Sequence, residues 1–260
     1  MFGKKKNFGL ALGGGAARGF AHIGVLKALD EAGLKPSFVA GTSVGSLIGA
    51  LYCAGLSWQR IWQEAEELDW PDLVKITMPT MGLVNPDKLE SLIERLVEGK
   101  TIEDLTVPFL AVAVDLVSGS ETILASGPLG RAVRASCSIP GIFTPLDDGK
   151  RLLADGGIVN NLPARQVREM GAEFVVSVDL ANSGWDQQKK PSNLLEVLFA
   201  STFIFMGNTG AQGRHASDLL VVPALTGFGF HDMSRKQEIM ELGYQAMQSN
   251  LKTLVKRCSN

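Results

Sequence analysis

Histidine is scarce in this chain: three in 260 residues, His22, His215 and His231, and none stands beside a recognisable catalytic-triad motif. Proton transfer by a His-centred triad is therefore poorly supported. No His has a companion at ligand spacing either, so no metal is assigned. Cysteine is equally sparse, with Cys53, Cys137 and Cys258 far apart and one thiol left over. That pattern excludes a disulfide framework and fits a reducing, cytoplasmic compartment. The chain also lacks a charge excess: 25 Lys and Arg against 27 Asp and Glu give a net charge of −2. A nucleic-acid-binding surface, which needs a marked basic surplus, is not expected. Long apolar runs are missing too. The longest, 197–206, falls well short of the roughly 20 residues that a membrane-spanning helix needs. Lys4, Lys5 and Lys6 read as a solvated basic start rather than the head of a signal peptide, because the apolar stretch after them is short and runs into glycines. The expectation is a soluble chain with at most transient contact with a membrane surface.

What the chain does have is 29 glycines, many at junctions between apolar runs. Strand-like runs fall at 8–12, 37–40, 109–115, 121–125, 151–154, 173–179 and 218–222, and helix-period segments fill most of the gaps. That alternation predicts one α/β domain over 1–260, with three layers and a mostly parallel central sheet between helices. Asn85, Pro86 and Asp87 predict a helix start, with Asn as N-cap and Pro in the first helical position, and Gly99 closes it. Ser234 followed by Gln237 predicts a capping box for the C-terminal helix. No internal repeat or clear linker is visible, and the polar stretch 185–193 is the best candidate for a flexible connection.

Three glycine motifs carry the chemistry. Gly41-Thr42-Ser43-Val44-Gly45 places a hydroxyl between two glycines where a strand gives way to an apolar helix, the pattern of a nucleophile elbow. Gly13-Gly14-Gly15-Ala16-Ala17-Arg18-Gly19 joins a strand to a helix, where successive amides can hold an anion or a developing oxyanion. Asp155-Gly156-Gly157 follows a strand and sets a carboxylate beside a tight backbone. Taken in this order, the three motifs resemble the patatin-like phospholipase family. The resemblance extends to residues 22–26, to 134–140 and to Asn160-Asn161-Leu162-Pro163. It spans about 8–180 and is looser over the C-terminal helical part, 192–257.

The resemblance implies an enzyme that cleaves fatty acyl esters of phospholipids or lysophospholipids without a cofactor. Ser43 would be the nucleophile and Asp155 the general base and acid of a two-residue dyad. Gly14, Gly15 and Ala16 would supply the oxyanion hole, with Arg18, Gly41, Gly45, Gly156 and Gly157 in support. The family often has Gly where Ala16 stands, and a positive φ there would strain Ala. A lone carboxylate can act as base if its surroundings raise its basicity. His22 reads as a packed helix residue that steadies the loop, and Asn160 and Asn161 as turn residues behind Asp155. Trp58, Trp62 and Trp70, with Leu68 and Leu73, read as core or cover before they read as a lipid-facing rim; so does the apolar cluster 194–206. The oligomeric state is open.

Two rivals stand beside this reading. A nucleotide-binding Rossmann module would also place a glycine loop between strand and helix, but Ala16 occupies its middle glycine position and Gly41-Thr42-Ser43 stands where an acidic residue is required. A catalytically silent lipid-binding module on the same fold is the other.

Overall fold

The computed structural model describes residues 6–73, 75–76, 81–182, 190–230 and 232–258. Its strands are β1 (Phe8–Leu12), β2 (Phe38–Thr42), β3 (Lys75–Ile76), β4 (Val84–Asn85), β5 (Phe109–Asp115), β6 (Glu121–Leu124), β7 (Leu146–Asp147), β8 (Leu152–Asp155), β9 (Phe174–Val178) and β10 (Leu219–Val221). The helices are α1 (Phe20–Glu31), α2 (Val44–Cys53), α3 (Trp58–Glu67), α4 (Trp70–Leu73), α5 (Asp87–Leu96), α6 (Leu129–Ser136), α7 (Ala164–Glu169), α8 (Leu194–Thr209), α9 (Ala211–Ala216) and α10 (Lys236–Cys258).

The main sheet runs β10-β9-β1-β2-β5-β8-β7, with β6 also on β5. From β10 to β5 every pairing is parallel; β6 and β8 meet β5 antiparallel, and β7 meets β8 the same way. The expected parallel sheet is thus the inner part of a mixed one. Strands β1, β5 and β9 are buried along their whole length, as their unbroken apolar runs require when helices cover both faces. Side chains alternate between the two faces. Leu10, Leu12, Val39 and Phe109 join a large core with α1, α2, α5 and α10, whereas Ala11, Ala40, Leu110 and Val112 join a smaller one with α7.

The register on β5 brings two distant parts of the chain together. Thr42 of β2 lies opposite Val112, and Asp155 of β8 lies opposite Ala113. Because β6 pairs with both Val112 and Ala113, it occupies the other edge of β5. Strands β2 and β8 therefore approach the same edge and end at adjacent rungs. The elbow after Thr42 and the turn after Asp155 meet there.

Several local expectations shift by a residue or two. The strand expected at 37–40 runs on through Thr42, and the one expected at 151–154 ends on Asp155 itself. Asn85 does accept a hydrogen bond from the Asp87 amide at 2.8 Å, but Pro86 is the residue that borders the helix. Gly99 terminates this region at φ +71°, a left-handed conformation that glycine adopts at little cost. The capping box at Ser234 does not form: its hydroxyl and amide both bond to Asp232, and α10 starts at Lys236. A neighbouring carboxylate offers Ser a tighter local partner than the helix end does. Of the stretch 185–193, residues 185–189 lie outside the described residues, as does His231.

Candidate active site

Ser43 is held at φ 54° and ψ −129°, between the last residue of β2 and the first of α2. A non-glycine residue seldom occupies this region, and holding it there costs about 1–3 kcal/mol. The surrounding packing sustains the strain. A Cβ on Gly41 would collide with the carbonyl of Gly45, and one on Gly45 with the carbonyl of Leu12. The two glycines let β1, the elbow and α2 close on each other, and α2 presents the positive end of its dipole beside Ser43.

The Ser43 amide donates to Oγ of Ser136 at 2.9 Å, and the Ser136 hydroxyl donates to the Val112 carbonyl at 2.6 Å. A fully buried serine on α6 thus ties the strained elbow to the middle of the sheet. Sequence reasoning assigned Ser136 no role of its own, because a serine at the end of an amphipathic helix carries no local signal for this bond.

Asp155 is completely buried. Its Oδ1 accepts from the Gly157 amide at 2.8 Å, while Oδ2 has no hydrogen-bond partner among the described residues. Burial pushes this carboxyl up to about 7, with the nearby Ser43 hydroxyl and the Gly157 amide pulling the other way. Two more backbone features frame the turn: the Asp155 amide donates to Ser138 O at 2.8 Å, and a Cβ on Gly156 would strike the Val112 carbonyl. A Cβ on Gly157 would press on Met206 of α8.

In the glycine-rich loop, the Gly14 amide donates to the Asn161 carbonyl at 3.1 Å, and Asn161 Nδ2 donates back to Gly14 O at 3.3 Å. The Gly14 amide is therefore already committed. The amides of Gly15 and Ala16 have no partner among the described residues, and Gly14 lies beside Ser43: a Cβ built on it would sit 3.2 Å from that of Ser43. Ala16 has φ +46°, so the strain foreseen for alanine at this position is present.

Arg18 is buried and donates from Nε to Phe228 O at 3.0 Å and from Nη1 to Leu180 O at 2.9 Å, with its guanidinium 4.0 Å from the Phe230 ring centre. Burial lowers it to about 10, so it stays charged at neutral pH. It clamps the loop to two distant segments. His22 is fully buried with Nε2 2.8 Å from Gly13 O. A carbonyl only accepts, so Nε2 carries the proton. Burial takes this imidazole down to about 4 and keeps it neutral. His22 thus steadies the loop rather than reaching Ser43. Asn160 belongs to the same frame, accepting from Thr42 Oγ1 through its carbonyl and donating to Glu121.

Ser43 opens onto a cavity of about 140 Å³ that runs between α2, α3 and α5. Ala16, Leu47, Ile61, Leu89, Ile93 and Ile139 are among its walls, and Glu64 is the one charged lining residue among the described residues. Glu64 is itself engaged by Arg60 and by Arg95. The cavity therefore suits an alkyl chain rather than a polar group. Leu68 lines it, while Trp58 and Trp62 pack partly buried against the main core, so the aromatic segment serves as cover on this side. The side chains of Trp70 and Leu73 lie outside the described residues. Cys137 also lines the cavity close to Ser43, and burial raises its thiol, which keeps it protonated. Among the described residues, no group of three or more His, Cys, Asp and Glu could hold a metal ion.

An α/β sheet that sets a strained serine elbow in the wall of an apolar cavity, with a buried carboxyl on the adjacent rung and a glycine loop beside it, defines a class of serine-elbow α/β proteins. The patatin-like phospholipase model matches residues 10–168, and the chain belongs to that family. Patatin-like phospholipase domain-containing protein 6 of Mus musculus is 42% identical over 183 residues, covering 66% of this chain and 13% of that protein. The neuropathy target esterase sws of Drosophila melanogaster is 37% identical over 184 residues, covering 68% and 13%. An uncharacterised NTE family protein of Mycobacterium bovis is 38% identical over 178 residues, covering 67% and 49%. The chain thus spans a small part of the animal relatives and about half of the mycobacterial one. Among solved structures, VipD from Legionella pneumophila superposes with a TM-score of 0.70 at 13% identity, covering 96% of this chain and 67% of that one. ExoU in its complex with SpcU, from Pseudomonas aeruginosa, gives 0.54 at 15%, covering 97% and 52%. At these identities the likeness is one of fold.

Proposed function

We propose that this chain is a serine acyl hydrolase that cleaves fatty acyl esters of phospholipids or lysophospholipids, with Ser43 as nucleophile and Asp155 as the base. The observation that carries the reading is the juxtaposition of a strained serine, which lines the alkyl cavity together with Ala16, and a buried carboxyl on the adjacent rung of β5; among the described residues the carboxyl Oδ2 and the Gly15 and Ala16 amides have no partner. Ser43 Oγ attacks the ester carbonyl while its proton passes to Asp155. The amides of Gly15 and Ala16 receive the negative charge on the carbonyl oxygen, and Gly14, fixed by Asn161, holds them in place. Collapse of the tetrahedral adduct breaks the bond to the alcohol, which leaves with the proton from Asp155. Water then gives a proton to Asp155 and attacks the acyl-serine; the fatty acid departs and the proton returns to Ser43 Oγ.

A carboxyl raised to about 7 is suited to both halves of this cycle, since it can take and return a proton near neutral pH. Removing either member of a dyad that works as a unit is expected to lower turnover by about 10³-fold or more. The test is hydrolysis of lysophosphatidylcholine by Ser43→Ala and Asp155→Asn, together with fluorophosphonate labelling. Modification of wild type at Ser43, lost in Ser43→Ala, supports the reading; normal turnover by either folded variant ends it. A protein that binds the lipid, resists labelling and turns nothing over would be a silent binding module.

A further inference from the structure

Helix α8 carries a feature that neither the fold nor the proposed chemistry uses. Its inner face is committed: Phe199, Phe203 and Met206 pack with Ile139, Ile142 and Phe143. Its outer face is Val197, Ser201, Ile204, Phe205 and Asn208, all exposed and spaced so that they share one stripe. Phe205 is 62% exposed, Ile204 48% and Val197 47%. Large apolar side chains clustered on one helix face mark a surface that meets something other than water. The only charged residue in the helix is Glu196, at its first turn.

We propose that this stripe is a docking surface for the interface of a zwitterionic phospholipid aggregate. The inference rests on the acyl-hydrolase reading for its occupant, since the substrates of such an enzyme reside in aggregates. Two further observations favour a lipid surface. No exposed residue of the stripe is charged, so it offers no ionic complement to a charged partner, whereas an apolar helix face lying in the headgroup and acyl boundary needs none. The helix is also continuous with the site. Ile139 and Phe143 are wall of the cavity on one side and seat of α8 on the other. At its C-terminal end the Thr209 hydroxyl donates to Gly157 O at 2.6 Å, directly on the turn that carries Asp155. A lipid surface pressed against Val197, Ile204 and Phe205 would thus lie one helix thickness from the carboxyl and the cavity.

The experiment uses the full chain and phosphatidylcholine vesicles. Sedimentation with vesicles reads docking, and hydrolysis of a short-chain, fully dissolved p-nitrophenyl ester reads the catalytic centre by itself. Wild type and Ser43→Ala are both expected to partition onto the vesicles, so docking is scored without turnover. Val197→Ser/Phe205→Ser is expected to partition about tenfold more weakly while its hydrolysis of the dissolved ester stays within about twofold. Phe205→Trp, which keeps the apolar surface, should retain binding and show a blue shift of its emission with vesicles. Equal partitioning of the double variant and wild type overturns the proposal. So does an absence of vesicle binding by wild type, including the case in which Phe205→Ser instead dissolves a dimer, which would assign the stripe to a second copy. Loss of ester hydrolysis by wild type with vesicle binding intact would count against the acyl-hydrolase reading and leave the docking surface standing.

Discussion

The elbow at Ser43 and the turn at Asp155 end on adjacent rungs of one strand edge, yet they are prepared in different ways. Ser43 is set by backbone geometry: its φ and ψ are strained, its amide is tied to Ser136, and neighbouring backbone leaves no space for a Cβ at Gly41 or Gly45. Asp155 has φ −55° and ψ 124°, which strain nothing. Its preparation is electrostatic, because complete burial raises the carboxyl to about 7 against the pull of the Ser43 hydroxyl and the Gly157 amide. The lesson is that a hydroxyl is made useful by where it points, and a carboxyl by what it is kept away from.

Breaking the geometric half should have the largest effect on the fold. Gly45→Ala drives a methyl group into the Leu12 carbonyl, backbone that cannot swing aside. Denaturant unfolding is expected to show a loss of about 3 kcal/mol or more, with fluorophosphonate labelling falling in parallel.

The electrostatic half is best tested by pH. Asp155 must be ionised to accept a proton, so kcat/KM should rise with pH and level off above about 7. Stability runs the other way. The folded value lies above the ordinary 3.8, so the contribution of this carboxyl is fully present below about 4 and is lost as pH rises through 7. Asp155→Asn should therefore gain stability relative to wild type between pH 4 and 8, up to on the order of 4 kcal/mol. His22 is common to both proteins and drops out of the difference. A pH-independent difference between the two melting profiles would contradict the burial account.

Two smaller changes sharpen the contrast. Ser136→Ala removes the acceptor of the Ser43 amide and leaves it buried without a partner, an expected cost of about 1–3 kcal/mol. Because the elbow loosens while the cavity keeps its walls, kcat should fall more than KM rises, and Ser136→Thr should recover part of the loss. Ala16→Gly relieves φ +46° at the oxyanion loop. The relief of about 1 kcal/mol is opposed by the entropy of an added glycine, so stability should move by less than that. A large loss on this substitution would mean that the methyl packing against the cluster of Ile139, Ile142, Phe203 and Met206 outweighs the strain.

Much of this was legible in order along the chain. The seven longer strands fall where apolar runs predict them, because a sheet covered on both faces needs uninterrupted hydrophobic residues, whereas the two-residue strands β3, β4 and β7 carry no such run. The elbow was legible because backbone crowding demands glycine at fixed positions, and glycine is visible in a sequence. The role of Ser136 was not, nor was the commitment of the Gly14 amide to Asn161, since each bond joins residues more than ninety positions apart.

The sequence by itself determined the alternation of strand and helix, the glycine-dependent turns and a largely apolar α8 with Glu196 as its one charge, all consequences of local sterics and hydrophobic pattern. Only the tertiary structure decided that β2 and β8 share an edge of β5, that Asp155 is cut off from water, and that one face of α8 remains uncovered. Register and burial depend on what lies across the fold, and no stretch of neighbouring residues encodes them alone.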